Sequence, residues 1–274
     1  DGNRPLSMTR VLLSPNTFGA SLQLMADNIG GGSPRVPWAE TYPAGAQRER
    51  YESGVRGIYG FYLGYNFDPG RVALFERALE ALTANGVQVI GFIHPIHAWR
   101  EEALFRSGRS DTYFEMRQAL TEVFDRHAAA SPDNACVEGG GAVLWDFSGY
   151  RDFAALPAPA PDQSAAHANF YEPSHYLPHI GQAMLDTLRG DTGPDSVTGI
   201  RLEPGNLAAS ADAIRTRRQR WLDPTDGLAG TALFDALEAA GPQAETETPQ
   251  FLNRDDRRSL EDKISRIAPG RAGR

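Results

Sequence analysis

Sulfur chemistry is almost missing from this sequence. Cys136 is its single cysteine, so it has no partner for an intramolecular disulfide and builds no cysteine metal cluster. Lysine is nearly absent too. Lys263 stands alone, and arginine supplies the rest of 27 positive charges set against 35 acidic ones. The resulting net charge of −8 excludes a nucleic-acid binder, which needs a basic face for the phosphate backbone. No apolar run reaches the roughly 18 residues of a membrane span; the longest, residues 87–93, is the size of a strand. A basic-then-apolar signal segment is also lacking. So is a phosphate-binding glycine loop: Gly139, Gly140 and Gly141 precede an apolar run instead of following one, which describes a tight turn. No cofactor is therefore expected.

What is present suffices for a folded core: 274 residues, 41% of them hydrophobic, fit one large domain or two small ones. Residues 10–13 read as a short strand, followed by a weakly amphipathic helix to about Asp27. Residues 28–57 turn to glycine, proline and charge without a period and read as a long loop, with Trp38 and Tyr42 pinning it. Residues 60–66 (GFYLGYN) read as extended. Clear patterning begins at Pro69, where Val72, Phe75, Leu79 and Leu82 form one helical stripe. Asn85 and Gly86 stop that helix, and residues 87–93 follow as a buried strand. A second helix spans residues 112–130, with Met116, Leu120, Val123, Phe124 and His127 on one face. Residues 142–145 read as another buried strand. This alternation predicts an α/β fold with a mainly parallel sheet. Further on, Pro178 opens a helix whose buried face is Ile180, Met184, Leu185 and Leu188, ended by Gly190. Residues 197–202 read as a last short strand, then helices follow at 206–221 and 228–239, and a polar tail closes the sequence.

Ligands of open α/β sheets sit beyond the carboxyl ends of the strands, and three polar clusters fall there. The first is His94 and His97, separated by Pro95-Ile96. The second is Asp146, followed by Phe147-Ser148-Gly149-Tyr150. The third is Glu172-Pro173-Ser174-His175. A carboxylate three residues before a histidine can accept one ring N–H and leave the other nitrogen free as a general base. The competing reading makes Ser174 a helix cap and leaves Glu172 and His175 as surface residues. His94 and His97 could hold a metal with Asp146 or Glu172, contact substrate, or be structural. Asp146 could orient a histidine, bind substrate hydroxyls or cap the next turn. Cys136 has no base beside it and is not read as a nucleophile.

Asp146-Phe-Ser-Gly-Tyr150 followed by Phe170-Tyr-Glu-Pro-Ser-His-Tyr176 resembles the C-terminal half of bacterial relatives of the SGNH (GDSL-like) hydrolases. Distant members of that group include the alginate O-acetylation proteins and the D-alanyl-transfer protein of teichoic acid synthesis. Leu12-Leu-Ser-Pro15, Ile93-His-Pro-Ile-His97, and Gly199-Ile-Arg-Leu202 with Asn206-Leu207 also resemble the group, so the likeness spans about residues 10–220. It implies a three-layer α/β/α fold at residues 1–222, with 223–274 as a helical, partly flexible extension. It also implies a periplasmic or cell-envelope location. His175 would be the base and Glu172 its orienting carboxylate, in place of the usual Asp; Asp146, His97, Ser148 and Tyr150 would line the substrate site. The Gly-Asp-Ser block that carries the family's nucleophile is not in this sequence, and Ser14, Ser148 and Ser174 are the stand-ins. The chain is thus expected to be a soluble portion of something longer, lacking its first βα unit or units, with room for a membrane anchor upstream of Asp1.

The function expected is a serine-type ester hydrolase or O-acyltransferase acting on acylated glycan or cell-envelope material. Its partner is a small-molecule or glycan substrate, and the oligomeric state is left open. One alternative is a non-catalytic glycan-binding or scaffold protein, with Trp99, Trp145, Tyr150, Tyr171 and Tyr176 as sugar platforms. Another is a metal-dependent hydrolase using His94, His97 and Asp146.

Overall fold

Pro69 follows an aspartate, and the pair starts a helix for two reasons: Asp68 Oδ1 accepts the Gly70 N–H at 2.9 Å, and proline is preset for the first turn. The computed structural model describes residues 42–128, 141–191, 197–223 and 231–240, which belong to one compact unit. The strand expected at 10–13, the helix after it, Ser14, Trp38, Cys136, Lys263 and the tail past 240 lie outside the described residues. The elements in order are helix α1 (Ala46–Leu63), α2 (Pro69–Thr83), strand β1 (Val89–Ile93), α3 (Ala98–Arg106), α4 (Ser110–Arg126) and β2 (Ala142–Asp146). After these come β3 (Phe170–Glu172), β4 (His175–Tyr176), α5 (Pro178–Arg189), β5 (Ile200–Arg201), a 3-10 turn (Pro204–Asn206), α6 (Leu207–Trp221) and α7 (Thr231–Ala240).

The protein is a mixed α/β structure. β1 and β2 pair in parallel, from Val89 opposite Ala142 to Ile93 opposite Asp146, which brings His94 and Phe147 to the same rim. β5 joins the other side of β2 antiparallel, so the sheet is mixed, whereas the sequence rhythm predicts a mainly parallel one. The rhythm does not encode strand direction, and a two-residue strand has little patterning of its own. Side chains of β2 alternate between two cores, as pleated strands require. Val143 packs with Ile180, Ala183, Met184 and Leu188 of α5. Ala142 and Leu144 pack with Leu79, Val123, Phe124 and Leu202. β1 is less enclosed than expected, with Phe92 45% exposed.

The α4 face needs a glycine in β1. A Cβ on Gly91 would lie 2.3 Å from Phe124 Cζ, and Phe124 is itself buried. Gly91→Ala is expected to lower stability by about 1–3 kcal/mol, the usual cost of overpacking. A fall in the urea midpoint measures it.

Helix α1 overturns two expectations, the long loop through residue 57 and the extended segment at 60–66. Its buried residues are Gln47, Tyr51, Val55 and Tyr59, one per turn. Gly54, Gly57 and Gly60 and the polar Gln47 hide that stripe in the sequence. The packing repays the weak propensity: Tyr51, Val55 and Tyr59 join Ala98, Trp99, Ala103, Phe170, Ile214, Trp221 and Phe234 in a third core. Phe234 of α7 is fully buried there, so residues 231–240 are built into this body and the boundary expected at 222/223 does not set them apart. Two smaller corrections follow from helix phase. Leu185, assigned to the buried face of α5, is 46% exposed. His127 is the C-cap of α4, near Glu76, rather than a member of its apolar face.

Candidate active site

The rim is built from three segments. Helix α3 starts after a four-residue turn from β1, where His97 caps it: His97 Nδ1 accepts the Trp99 N–H at 3.2 Å. The proton of the ring therefore sits on Nε2, which donates to the Leu156 carbonyl at 3.0 Å. The ring is fully buried, and burial, with His167 nearby, pushes its pKa down to about 3. Both nitrogens are engaged, so His97 is a structural cap and offers nothing to a substrate or a metal. This corrects its expected place in the substrate site.

Asp146 is also internal. Its Oδ2 accepts Arg117 Nε at 3.1 Å and Nη2 at 2.5 Å, and its Oδ1 accepts the Ser148 N–H at 2.8 Å and the Ser148 hydroxyl at 2.5 Å. Arg117 donates further to Ser210 Oγ, and Tyr113 bonds the Ser148 hydroxyl. The following turn is held as tightly. Gly149 and Tyr150 both have left-handed φ, +89° and +55°, an uncommon state for tyrosine. Three ties hold it: the Gly149 N–H to Glu101 Oε1 at 2.8 Å, the Tyr150 hydroxyl to Glu102 Oε2 at 2.7 Å, and Arg217 Nε to the Gly149 carbonyl at 2.6 Å. Glu102 also accepts from Arg106 Nε and from Nε and Nη2 of Arg218. Asp146, Ser148 and Tyr150 are all buried. They make the scaffold of the rim and do not line a substrate site.

Glu101 is the odd member of this network. Its Oε2 is buried without a hydrogen-bond partner. Burial, and secondarily Asp146, raise its pKa to about 7 in spite of the Gly149 bond.

The third segment brings Glu172 and His175 into contact. β3 and β4 form a bulged antiparallel hairpin, with Pro173 and Ser174 between them. The Pro173 carbonyl accepts the His97 N–H at 3.0 Å, which ties the hairpin to the start of α3. Glu172 divides its oxygens: Oε2 accepts the Ser174 N–H at 2.9 Å, and Oε1 bonds His175 Nδ1. The His175 side chain is 79% exposed, while Glu172 is 15% exposed. The imidazole is thus oriented through one nitrogen and accessible to solvent. Gly54 of α1 lies beneath; a Cβ there would sit 3.6 Å from Glu172 Oε2.

Two residues that sequence reasoning passed over complete the rim. Arg100 donates from Nη1 to Ser174 Oγ, and its charge acts on the Tyr62 hydroxyl. The motif reading stopped at His97, three residues short of Arg100, and Tyr62 fell in the segment taken as extended. His94 is solvent-exposed. Crowding on one side, then the charges of Arg100 and His175, hold its pKa below the usual histidine value.

A metal centre at His94, His97 and Asp146 does not form, because His97 is saturated and Asp146 carries a guanidinium. Among the described residues no group of three or more His, Cys, Asp or Glu is placed to hold a metal. Nor is any helix among them long and apolar enough to cross a membrane. Of the five aromatics considered as sugar platforms, Trp99 and Tyr150 are buried, and Arg50 covers the Tyr171 ring. No family model, curated protein or solved structure matches this chain.

Proposed function

We propose that the Glu172–His175 pair is the general-base dyad of a serine-type ester hydrolase or O-acyltransferase of SGNH kind, acting on acylated glycan or cell-envelope substrates. The observation that carries this reading is the hairpin geometry: a carboxylate fixed by the Ser174 N–H holds Nδ1 of an exposed imidazole. With Nδ1 protonated, Nε2 is the free base. It takes the proton of an attacking hydroxyl as the oxygen bonds the ester carbonyl, then returns that proton to the departing alkoxide. Glu172 stabilises the imidazolium in between. Helices packed on both faces of β2 agree with the three-layer arrangement this reading requires.

His175→Ala is expected to reduce turnover of a small aryl acetate by about 10²–10⁴-fold, the usual share of a general base. Turnover within twofold of wild type would sink the assignment.

A second reading, a glycan-binding protein without catalysis, is favoured by one observation. Neither described stand-in serine is free for the dyad: Ser148 is buried against Asp146 and Tyr113, and the Ser174 hydroxyl is held by Arg100. Labelling by a serine-directed fluorophosphonate separates the two; the hydrolase labels at one serine and the binding protein does not.

A further inference from the structure

We infer that Arg100 is a positioning residue for the Glu172–His175 dyad and acts through the hydroxyl of Ser174. The inference rests on the general-base reading for its effect on rate, and its test has a readout that does not.

An imidazole that is 79% exposed has little packing to hold it, and an exposed ion pair by itself orients weakly because both side chains keep their rotamer freedom. Its orientation therefore depends on how firmly Glu172 is held. Glu172 is held by the Ser174 N–H at 2.9 Å, so the question passes to the placement of Ser174. Helix α3 grips the hairpin turn twice. The His97 N–H donates to the Pro173 carbonyl, and one turn further along, Arg100 Nη1 donates to Ser174 Oγ. Arg100 so fixes Ser174, Ser174 fixes Glu172, and Glu172 fixes the proton on His175 Nδ1.

The guanidinium sits there at a cost. Arg100 Nε is buried without a hydrogen-bond partner, and a buried donor without an acceptor is unfavourable. A shorter or apolar residue would avoid that loss and also lose the Ser174 bond. The pKa of His94 is lowered first by burial and only then by the charges of Arg100 and His175, so the Arg100 charge reaches across the rim as a secondary effect.

The test uses the full chain with ¹⁵N-labelled histidine, at mildly alkaline pH, and reads the His175 tautomer from long-range ¹H–¹⁵N couplings. Wild type is expected to show the Nδ1–H form. Ser174→Ala keeps the backbone N–H that Glu172 uses and removes only the Arg100 acceptor. It is expected to shift His175 toward the Nε2–H form, as is Arg100→Gln, and the double variant is expected to go no further than either. Arg100→Lys restores part of the wild-type signal. His97, whose partners are Trp99 and Leu156, keeps its Nε2–H signal throughout and reports an intact fold. With an ester substrate, kcat of Ser174→Ala falls about tenfold at nearly constant KM, the pattern of lost orientation. If Ser174→Ala leaves the His175 tautomer as in wild type, the inference is overturned, and this holds even if Arg100→Gln fails to fold. A tautomer shift in a protein that hydrolyses no ester supports the positioning role and counts against the hydrolase reading alone.

Discussion

Replacing Arg117 by methionine is expected to cost about 3–5 kcal/mol of folding stability, the penalty for leaving one member of a buried ion pair without the other. Arg117 and Asp146 each expose only 1% of their side chains. Methionine keeps most of the stem length and apolar bulk, so packing is largely retained and the loss is electrostatic. Asp146 would keep its bonds from Ser148 but lose two guanidinium donors to Oδ2. Ser210 would lose its partner as well. The effect also travels to the rim, because Asp146 ends β2 and its carbonyl accepts Arg151 Nη2 at 2.9 Å. Adding Asp146→Asn to Arg117→Met should recover part of the loss, since neither member of the pair is then charged. Urea denaturation of the three proteins decides the matter. A single variant within about 1 kcal/mol of wild type would mean that the pair is not the strut described here.

Acid should destabilise the protein steeply below about pH 6.5, and two buried histidines are the cause. His97 has its pKa pushed down to about 3 and His167 to about 4, in both cases chiefly by burial. His167 Nδ1 accepts the N–H groups of Asn169 and Phe170, so protonating it, like protonating His97, breaks a cap. The unfolded chain takes up these protons near the ordinary histidine value of 6.5; the folded chain refuses them until pH 3–4. Between those limits the unfolded state binds more protons, so stability falls as pH falls. Each histidine contributes on the order of 3 kcal/mol between pH 6.5 and 4. Glu101 runs the other way. Its folded pKa of about 7 lies above the ordinary 4.5, so it keeps its proton when folded and adds stability as pH falls through that window. Two histidines outweigh one carboxyl, which places the maximum near pH 6.5–7 and leaves a falling acid limb. His97→Asn retains a side-chain oxygen for the Trp99 N–H and cannot titrate. It should flatten that limb by one histidine's share while losing some stability at pH 7, where the Leu156 carbonyl is left without its donor. Thermal melts at half-unit pH steps would show it, and an unchanged acid slope would refute the role given to His97.

The Glu172–His175 contact was legible because its parts are close in sequence. Glu172 and His175 are three residues apart on a turn, so local geometry alone can join them, and the structure does so. The other proposed site residues carried an ambiguity that spacing cannot resolve. His97 and Asp146 stand at strand ends, where a polar side chain either faces a ligand or caps the next element. Which one occurs depends on partners far away in sequence: Leu156 for His97, and for Asp146 the guanidinium of Arg117, itself tied to Ser210. Tyr150 is the same case, drawn inward by Glu102. Helix α3 escaped notice because its first turns bury Glu101 and Glu102, which blurs the apolar stripe that sequence patterns rely on.

The near-absence of cysteine and lysine, the acidic balance, the helix at Pro69, the strand–helix alternation and the Glu172–His175 pairing were determined by the sequence itself. Each rests on composition or on contacts within a few residues. Strand direction at β5, the helical state of residues 46–63, the inward fate of His97, Asp146, Ser148 and Tyr150, and the arrival of Arg100 at Ser174 were decided only by the tertiary structure. The reason is physical. Burial and hydrogen-bond satisfaction are properties of the assembled neighbourhood, and a polar side chain is taken inside when distant donors and acceptors meet it there.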